Sequence, residues 1–378
     1  MNIDYPLWME IDSQSLHNNF TRILQHLSIP NASRIIGVVK ADAYGHGIES
    51  VLLLQKWGMN RFGVATVQEG EALRQLGIKG TIYLLGGFIN QEIPGIFKNH
   101  LTPALSSREE WDQLKSAVQL NQQELEFHLK IDSGMYRMGF LPEELDESFI
   151  KQMSHHPYLR LKGVMTHFAS SENDPTYTHR QFEIFQNFLQ KKFLSEQVSI
   201  QNLEKHCCNS AGFLFFPHYH LDMVRVGIAL FGVSPIQDPS PVRSLGLSPV
   251  MRIKSRVKLL KHLPSGCCIG YGGTCITERP TRLAVIPIGY AQGLLRRLSN
   301  RMEVLIKGQR AKCLGVISMD QMMVDVTSIP DVKRGDLVTI LGSDGPDEIR
   351  AEEMAAWAET IPHEILCSFI RIKNRIVV

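Results

Sequence analysis

Strand-like and helix-like stretches alternate through the first 235 residues, and this alternation restricts the possible folds more than any other feature of the chain. Short apolar or β-branched runs fall at 35–40, 62–67, 81–85, 101–105, 126–132, 161–168, 204–210 and 223–231. Amphipathic stretches separate them, for example at 68–76, 106–120 and 178–194, the second with Ser106 as an N-cap and Glu109 three residues on. Eight strand-then-helix units over this length predict an α/β fold, a parallel (β/α)8 TIM-like barrel. A doubly wound open sheet is the competing arrangement, but no G-x-G-x-x-G follows the first strand and no gap marks a switch point. After Pro235 and Pro239 the pattern changes. Met251, Ile253, Val257 and Leu259 alternate with Arg252, Lys254, Arg256 and Lys258, which is the period of a half-buried strand. Further strands are expected at 283–288, 302–306, 322–326 and 337–341, with one helix at 351–360. The 378 residues therefore divide into a barrel over 10–238 and a mostly-β C-terminal domain over 239–378.

Charge and cysteine content exclude several classes. Forty Lys and Arg against 38 Asp and Glu leave a formal charge of +2, and no basic run is long enough to track a phosphate backbone, so nucleic acid is not an expected partner. No apolar run approaches the ~18 residues of a spanning helix, and Asp4, Pro6 and Glu10 stand where a signal peptide would be basic and apolar. The seven cysteines include no C-x-x-C pair, so no metal is expected and a reducing cytoplasm suits them.

A barrel places its chemistry at the C-terminal ends of its strands. Here the first strand stops at Lys40, the fifth ends in Lys130 and Asp132, the sixth in Thr166 and His167, the seventh in Asn209 and Ser210, and the eighth carries Arg225 before Gly227. Any one of these is ordinary for a solvated strand end, but five together gather cations and hydrogen-bond donors on one rim. A lysine at the end of an apolar strand is expected to be partly desolvated beside other cations, which makes it a usable amine for a Schiff base. Ser210, the amides near Gly227 and Ile228, and Tyr44 would make a phosphate site where barrels often bind one. An aldehyde cofactor carrying a phosphate, pyridoxal 5'-phosphate, is the economical inference, with Lys40 as its partner and Arg225 facing the pyridine nitrogen.

The segment Val38 to Gly47, VVKADAYGHG, resembles the cofactor-lysine signature of bacterial alanine racemases. Companion segments run in order along the chain: LKIDSGM at 129–135, RMGF at 137–140, MTHF at 165–168, His206 with NSAG at 209–212, DMVR at 222–225, GIAL at 227–230, PIGYA at 287–291 and SMDQ at 318–321. The resemblance implies a homodimer with shared active sites, in which the N-terminal strand (1–9, near Trp8) joins the second domain. It further implies a two-base interconversion of L- and D-alanine, with Lys40 on one face of the substrate and Tyr271 of the other subunit on the opposite face. Arg225 would meet the pyridine nitrogen, and His167 would lie near the ring and link Arg225 to Tyr271. Arg137 would contact the cofactor and the substrate carboxylate, Lys130 is a candidate for carbamylation, and Asn209 would belong to the cofactor site. Met319, Asp320 and Tyr290 would line the substrate entrance. The product would supply peptidoglycan.

Four positions depart from the family pattern. His363 stands where a tyrosine usually touches the phosphate and walls the pocket, Tyr136 replaces a small residue, Val316 replaces a common arginine, and Gln292 stands where aspartate is frequent. His363 leaves a serine or broad-specificity amino-acid racemase as the alternative. A pyridoxal-phosphate decarboxylase of related architecture would carry a glutamate where Arg225 stands, and a non-catalytic pyridoxal-phosphate carrier would lack the region after Pro235.

Overall fold

In the computed structural model, which describes residues 5–193 and 203–378, an N-terminal strand β1 (Leu7–Ile11) precedes eight parallel strands. These are β2 (Ile35–Val38), β3 (Arg61–Val64), β4 (Thr81–Leu84), β5 (Leu101–Leu105), β6 (Leu125–Lys130), β7 (Leu159–Met165), β8 (Glu204–His206) and β9 (Val224–Val226). They pair in sequence order, with β9 beside β2. Between β8 and β9 the circle is completed by the Met223 and Arg225 amides, which donate to the Lys205 and Cys208 carbonyls at 3.3 and 3.0 Å. The barrel is the expected fold. Its strands read as continuous apolar runs because both faces are covered, as in β2 and β5, where every residue is buried.

The chain separates into two compact units, one of residues 23–43 and 51–227, the other of residues up to Arg22 with 44–50 and 228–378. The barrel strands belong to the former.

Several element ends differ from expectation, each for a local reason. The runs at 35–40, 204–210 and 223–231 continue past the strands because their last residues form turns and helices. Asn209 caps a helix at Ser210–Phe215, and a 3-10 turn occupies Ile228–Phe231. The N-cap of the helix Arg108–Asn121 is Ser107 rather than Ser106: its hydroxyl accepts from the Glu110 amide at 3.1 Å, and Glu110 accepts in turn from the Ser106 amide at 2.6 Å. The helix Pro175–Phe193 starts ahead of 178 because Asp174 accepts from the Tyr177 amide at 2.9 Å, while residue 194 lies outside the described residues.

The other unit is mostly β, as expected. It contains β10 (Met251–Arg256), β11 (Leu259–Leu263), β12 (Cys268–Ile269), β13 (Cys275–Ile276), β14 (Thr281–Ile286), β15 (Glu303–Ile306), β16 (Gln309–Lys312), β17 (Met322–Asp325), β18 (Leu337–Asp344), β19 (Asp347–Ile349) and β20 (Arg375–Val377). β1 pairs antiparallel with β10 and parallel with β20, so the N-terminal strand joins this sheet as the resemblance implies. The alternation from Met251 to Leu259 is not one strand. It breaks at Val257 and Lys258, whose amides turn to the Asp336 and Val285 carbonyls, and Leu259 begins a strand of another sheet with nearly half its surface exposed. Lys254, expected on the polar face, is buried and donates to Thr339 Oγ1 at 2.7 Å and the Ser343 carbonyl at 2.9 Å, next to a register shift at Ile253. The expected helix at 351–360 ends at Ala358, where Glu359 turns left-handed (φ 55°), and a second helix, Pro362–Ser368, follows. Its Pro at the first position was the legible start signal.

Candidate active site at the barrel rim

Lys40 sits two residues beyond β2, at the head of a short turn, and not within the strand. It is exposed, contrary to the expected desolvation, although the chain on either side, Val39 and Ala43 to Gly47, is buried. Ala41, Asp42, Ala43 and Tyr44 all have φ near +53°, a single turn of left-handed helix built without glycine. This geometry costs an L-residue about 1–2 kcal/mol, so surrounding contacts must enforce it. Glu69 supplies them. One carboxylate oxygen accepts from the Ala41 amide at 2.7 Å and the other from the Ala65 amide at 2.7 Å, tying the lysine turn to the end of β3. At the far end of the turn a side chain at Gly45 would collide with the Leu366 carbonyl, and Gly45 has φ +81°.

Arg225 and Lys130 are 2% and 5% exposed, whereas Arg137 is exposed. Burial, with Arg225 and Arg137 nearby, lowers the Lys130 ammonium to about 8, against the opposing pull of Glu110 and Asp132. His167 is held well below its ordinary value, by burial first and then by Arg225, Lys130, Arg137 and Lys40. Four cations from separate parts of the rim thus act on one neutral imidazole. Burial also lowers Arg225 to about 10, still protonated at neutral pH. Its two terminal nitrogens serve five acceptors: His206 Nδ1 (2.8 Å), His167 Nδ1 (3.2 Å) and the carbonyls of Thr166 (2.8 Å), Cys207 (2.9 Å) and His206 (3.2 Å). Among the described residues this leaves Nε–H as the donor for a ligand. A guanidinium only donates, so His167 accepts at Nδ1 and carries its proton on Nε2.

At the next loops the Gly227 amide meets Ser210 Oγ at 3.0 Å, placing hydroxyl and amide together. Asn209 acts differently, as a loop cap. Its side-chain oxygen accepts from the Gly212 amide (2.8 Å) and Ser171 Oγ (2.9 Å), so it shapes the loop that presents Ser210. Ile228 follows directly, buried at the head of its 3-10 turn. In the other unit the Tyr44 ring lies 6.0 Å from the rings of both Phe231 and His363, so the departing histidine does stand beside the expected phosphate tyrosine. His46 stacks on Phe231 at 4.0 Å and is a core residue.

Tyr271 occupies the tip between β12 and β13, between Gly270 and Gly272, both with φ near +70°, and 70% of its surface is exposed. Met319 and Tyr290 are exposed as well (59% and 39%), and their segments are joined by Tyr290 and Ala291 amides donating to the Ser318 and Met319 carbonyls. Asp320 is exposed in the same segment. Val316 underlies the tip, near enough to Gly270 for a Cβ there to touch it, and Gln292 accepts from the Gly289 amide at 3.0 Å to close the turn that carries Tyr290.

Glu69 was not singled out from the sequence, although Thr66-x-x-Glu69 is a capping-box signature whose glutamate was the available signal. His128 and Glu204, joined to Arg225 through His206, carried no such signal.

The donor set fits pyridoxal phosphate: an accessible amine, a buried guanidinium that retains its protons, and a hydroxyl–amide pair for the phosphate. Two family models match the chain, "Alanine racemase, N-terminal domain" over residues 11–235 and "Alanine racemase, C-terminal domain" over 250–377. An alanine racemase of Halothermothrix orenii is 38% identical over 373 residues, covering 97% of this chain and 95% of the relative. Among solved structures, the alanine racemase of Clostridium difficile 630 matches with a TM-score of 0.89 and 35% identity over 100% of this chain and 97% of its own. The alanine racemase of Bartonella henselae with covalently bound pyridoxal phosphate matches with a TM-score of 0.87 and 28% identity over 99% of this chain and 100% of its own.

Proposed function

The chain belongs to the alanine racemase family, and from that premise we propose that it interconverts L- and D-alanine with pyridoxal phosphate, as a homodimer with shared sites. The observation that carries this reading is the convergence of Lys40, Lys130, Arg137 and Arg225 on neutral His167 at one barrel rim. When bound, the cofactor draws electrons from the substrate's Cα–H bond and acidifies it. Lys40 holds the cofactor and exchanges the Cα proton on one face. The partner's Tyr271 exchanges it on the other, because racemisation requires a proton to leave one face and return to the opposite one. Arg225 hydrogen-bonds the ring nitrogen without giving up a proton, which restrains electron withdrawal and side reactions. His167, with its Nε2–H free of Arg225, is oriented to bridge toward Tyr271. Arg137 pairs with the substrate carboxylate; Ser210, Tyr44, His363 and the Gly227 and Ile228 amides hold the phosphate; Asn209 positions their loop. Met319, Asp320 and Tyr290 form the entrance. The functional division of the chain at 238/239 follows from this assignment, since the part beyond it supplies Tyr271.

The test is D-enantiomer formation from a panel of L-amino acids, read by chiral chromatography. Alanine is expected to lead, and serine to racemise measurably if His363 widens the pocket. Carbon dioxide release without racemisation, or bound cofactor with no turnover, overturns the reading. All seven cysteines are free thiols and no helix among the described residues is long and apolar enough to cross a membrane, which supports a cytoplasmic enzyme supplying D-alanine for peptidoglycan.

Lys130 is proposed to carry a carbamate. A neutral amine adds carbon dioxide and releases one proton, turning a cation into an anion between Arg137 and Arg225. Because the amine is neutral above about pH 8, occupancy is expected to rise with pH through that value and to fall below it. Intact mass measured with and without bicarbonate checks this; an unmodified chain at pH 9 in bicarbonate ends the idea.

A further inference from the structure

Beneath the rim, the barrel interior holds a chain of facing polar groups whose far members take no part in the proton transfers above. Arg225 Nη1 donates to His206 Nδ1 at 2.8 Å, His206 Nε2 lies 2.8 Å from His128 Nδ1, and His128 Nε2 faces Glu204 Oε2 at 3.4 Å. Glu204 also accepts from Arg61 at 2.6 Å, and the Tyr83 hydroxyl, itself 2.5 Å from Arg61, lies 3.4 Å from the carboxylate. His206, His128 and Arg225 are at most 2% exposed, while Glu204 and Arg61, at the first residues of β8 and β3, reach the opposite mouth of the barrel with about a quarter of each side chain exposed.

The two ends of the chain dictate every proton position. A guanidinium only donates, so His206 must accept at Nδ1 and carry its hydrogen on Nε2. His128 therefore accepts at Nδ1 and carries its own hydrogen on Nε2, directed at a carboxylate that only accepts. Both hydrogen bonds run one way, from Arg225 through His206 to His128, and the His128 Nε2–H faces the Glu204 carboxylate at ion-pair distance without completing a third. Reversing the His206 imidazole would turn an N–H against the guanidinium, and reversing His128 would turn its lone pair toward the carboxylate, both costly in a closed interior.

We propose that His128 and Glu204 are positioning residues for Arg225: the carboxylate at the far mouth locks both imidazoles in one tautomer, so that His206 always presents a lone pair to the guanidinium and Arg225 stays aimed and fully protonated at the rim. This rests on the reading of Arg225 as the ring-nitrogen partner, but the chain itself can be examined without cofactor. The groups facing the two imidazoles are consistent with neutrality. Burial lowers both, Arg225 and Arg61 add to this, and on the other side stand Glu204 and, more weakly, Glu126. Burial raises Glu204, yet the nearby His128 and the hydrogen-bonded Arg61 outweigh it and hold the carboxyl at about 2.

The experiment is 15N NMR of histidine-labelled apo protein together with the ratio of racemisation to cofactor loss by half-transamination in the holoenzyme. His128 and His206 are expected as single Nε2–H tautomers that do not titrate between about pH 6 and 9. In Glu204→Gln the carboxylate charge facing His128 is lost and the new amide can donate as well as accept, so tautomer mixing is expected at both histidines, with a fall of about tenfold in the racemisation ratio. His128→Leu, in which only His206 of the pair remains, is expected to mix the His206 tautomers and to lower the ratio similarly. His128→Gln keeps an acceptor toward His206 and a donor toward Glu204, and is expected to restore a single His206 tautomer and most of the ratio. A protonated or Nδ1–H His206 in the wild-type apo protein overturns the chain. Single tautomers with an unchanged ratio in both Glu204→Gln and His128→Leu overturn the positioning role. Absence of racemisation by the wild type with the tautomers intact refutes the proposed function and leaves the proton arrangement standing.

Discussion

Lys40→Ala is expected to abolish the visible absorbance that the protein acquires on binding pyridoxal phosphate, and to lower racemisation by more than about 10⁴-fold, since one change removes both the covalent anchor and a general base. Lys40 is exposed at the head of the left-handed turn, and the next amide is already held by Glu69, so the substitution leaves the backbone device intact. Its effect on stability should stay within about 0.5 kcal/mol, as for other surface changes. Thermal unfolding of the apo protein therefore separates loss of chemistry from loss of fold. Retained absorbance or retained turnover in a folded Lys40→Ala protein would assign the anchor elsewhere, and Lys130 would be the next amine to test.

Tyr271→Phe should slow Cα proton exchange on L-alanine by about 10²–10⁴-fold while sparing exchange on the D-enantiomer, because only one of the two faces loses its base. The phenol is largely exposed on a glycine-flanked tip, so no packing is lost with the hydroxyl. Equal losses in both directions of exchange would count against two bases. The shared site gives this prediction a second arm. When Lys40→Ala and Tyr271→Phe chains are co-expressed, half of the dimers contain one of each, and one site in each such dimer has both groups intact. Roughly a quarter of the wild-type rate should return from two inactive parents. No recovery, with mixed dimers present, would mean that Lys40 and Tyr271 of one site come from the same chain.

The proposed carbamate on Lys130 and the histidine chain bear on the same electrostatic problem. Arg225 and Arg137 lie close enough to lower both Lys130 and His167, which suits a dianionic cofactor. An anion on Lys130 would balance that field from the rim, and Glu204 balances it from the opposite mouth of the barrel. Arg225 can then remain buried without a carboxylate partner of its own, its protons shared among carbonyls and imidazoles.

The eight barrel strands and most of the second domain's strands were legible because burial of one or both faces is a local, periodic property of a strand. Their ends were not, since they depend on which side chain finds a free amide: Ser107 over Ser106, or Asp174 ahead of Thr178. Lys40, Arg225 and Ser210 could be named as candidates from residue type and position, and Tyr271 only from the family resemblance. The exposure of Lys40 and the use of Asn209 as a loop cap could not, because both follow from the path of the chain after the strands.

Sequence alone determined the architecture and the cofactor class, and named candidates for the residues around it, because periodicity and short motifs act over a few neighbouring positions. Only the tertiary structure decided how those groups are supported. Arg61, Tyr83, His128, Glu204, His206 and Arg225 come from β3, β4, β6, β8 and β9, and Arg61, Tyr83, His128 and Glu204 each read by themselves as ordinary strand residues. Closure of the barrel brings them within hydrogen-bond or ion-pair distance of one another, and the one-way order of their protons follows from having a guanidinium at one end and a carboxylate at the other. No local pattern encodes that order, because it is a property of the closed sheet and of groups up to 164 positions apart, from Arg61 to Arg225 (225 − 61).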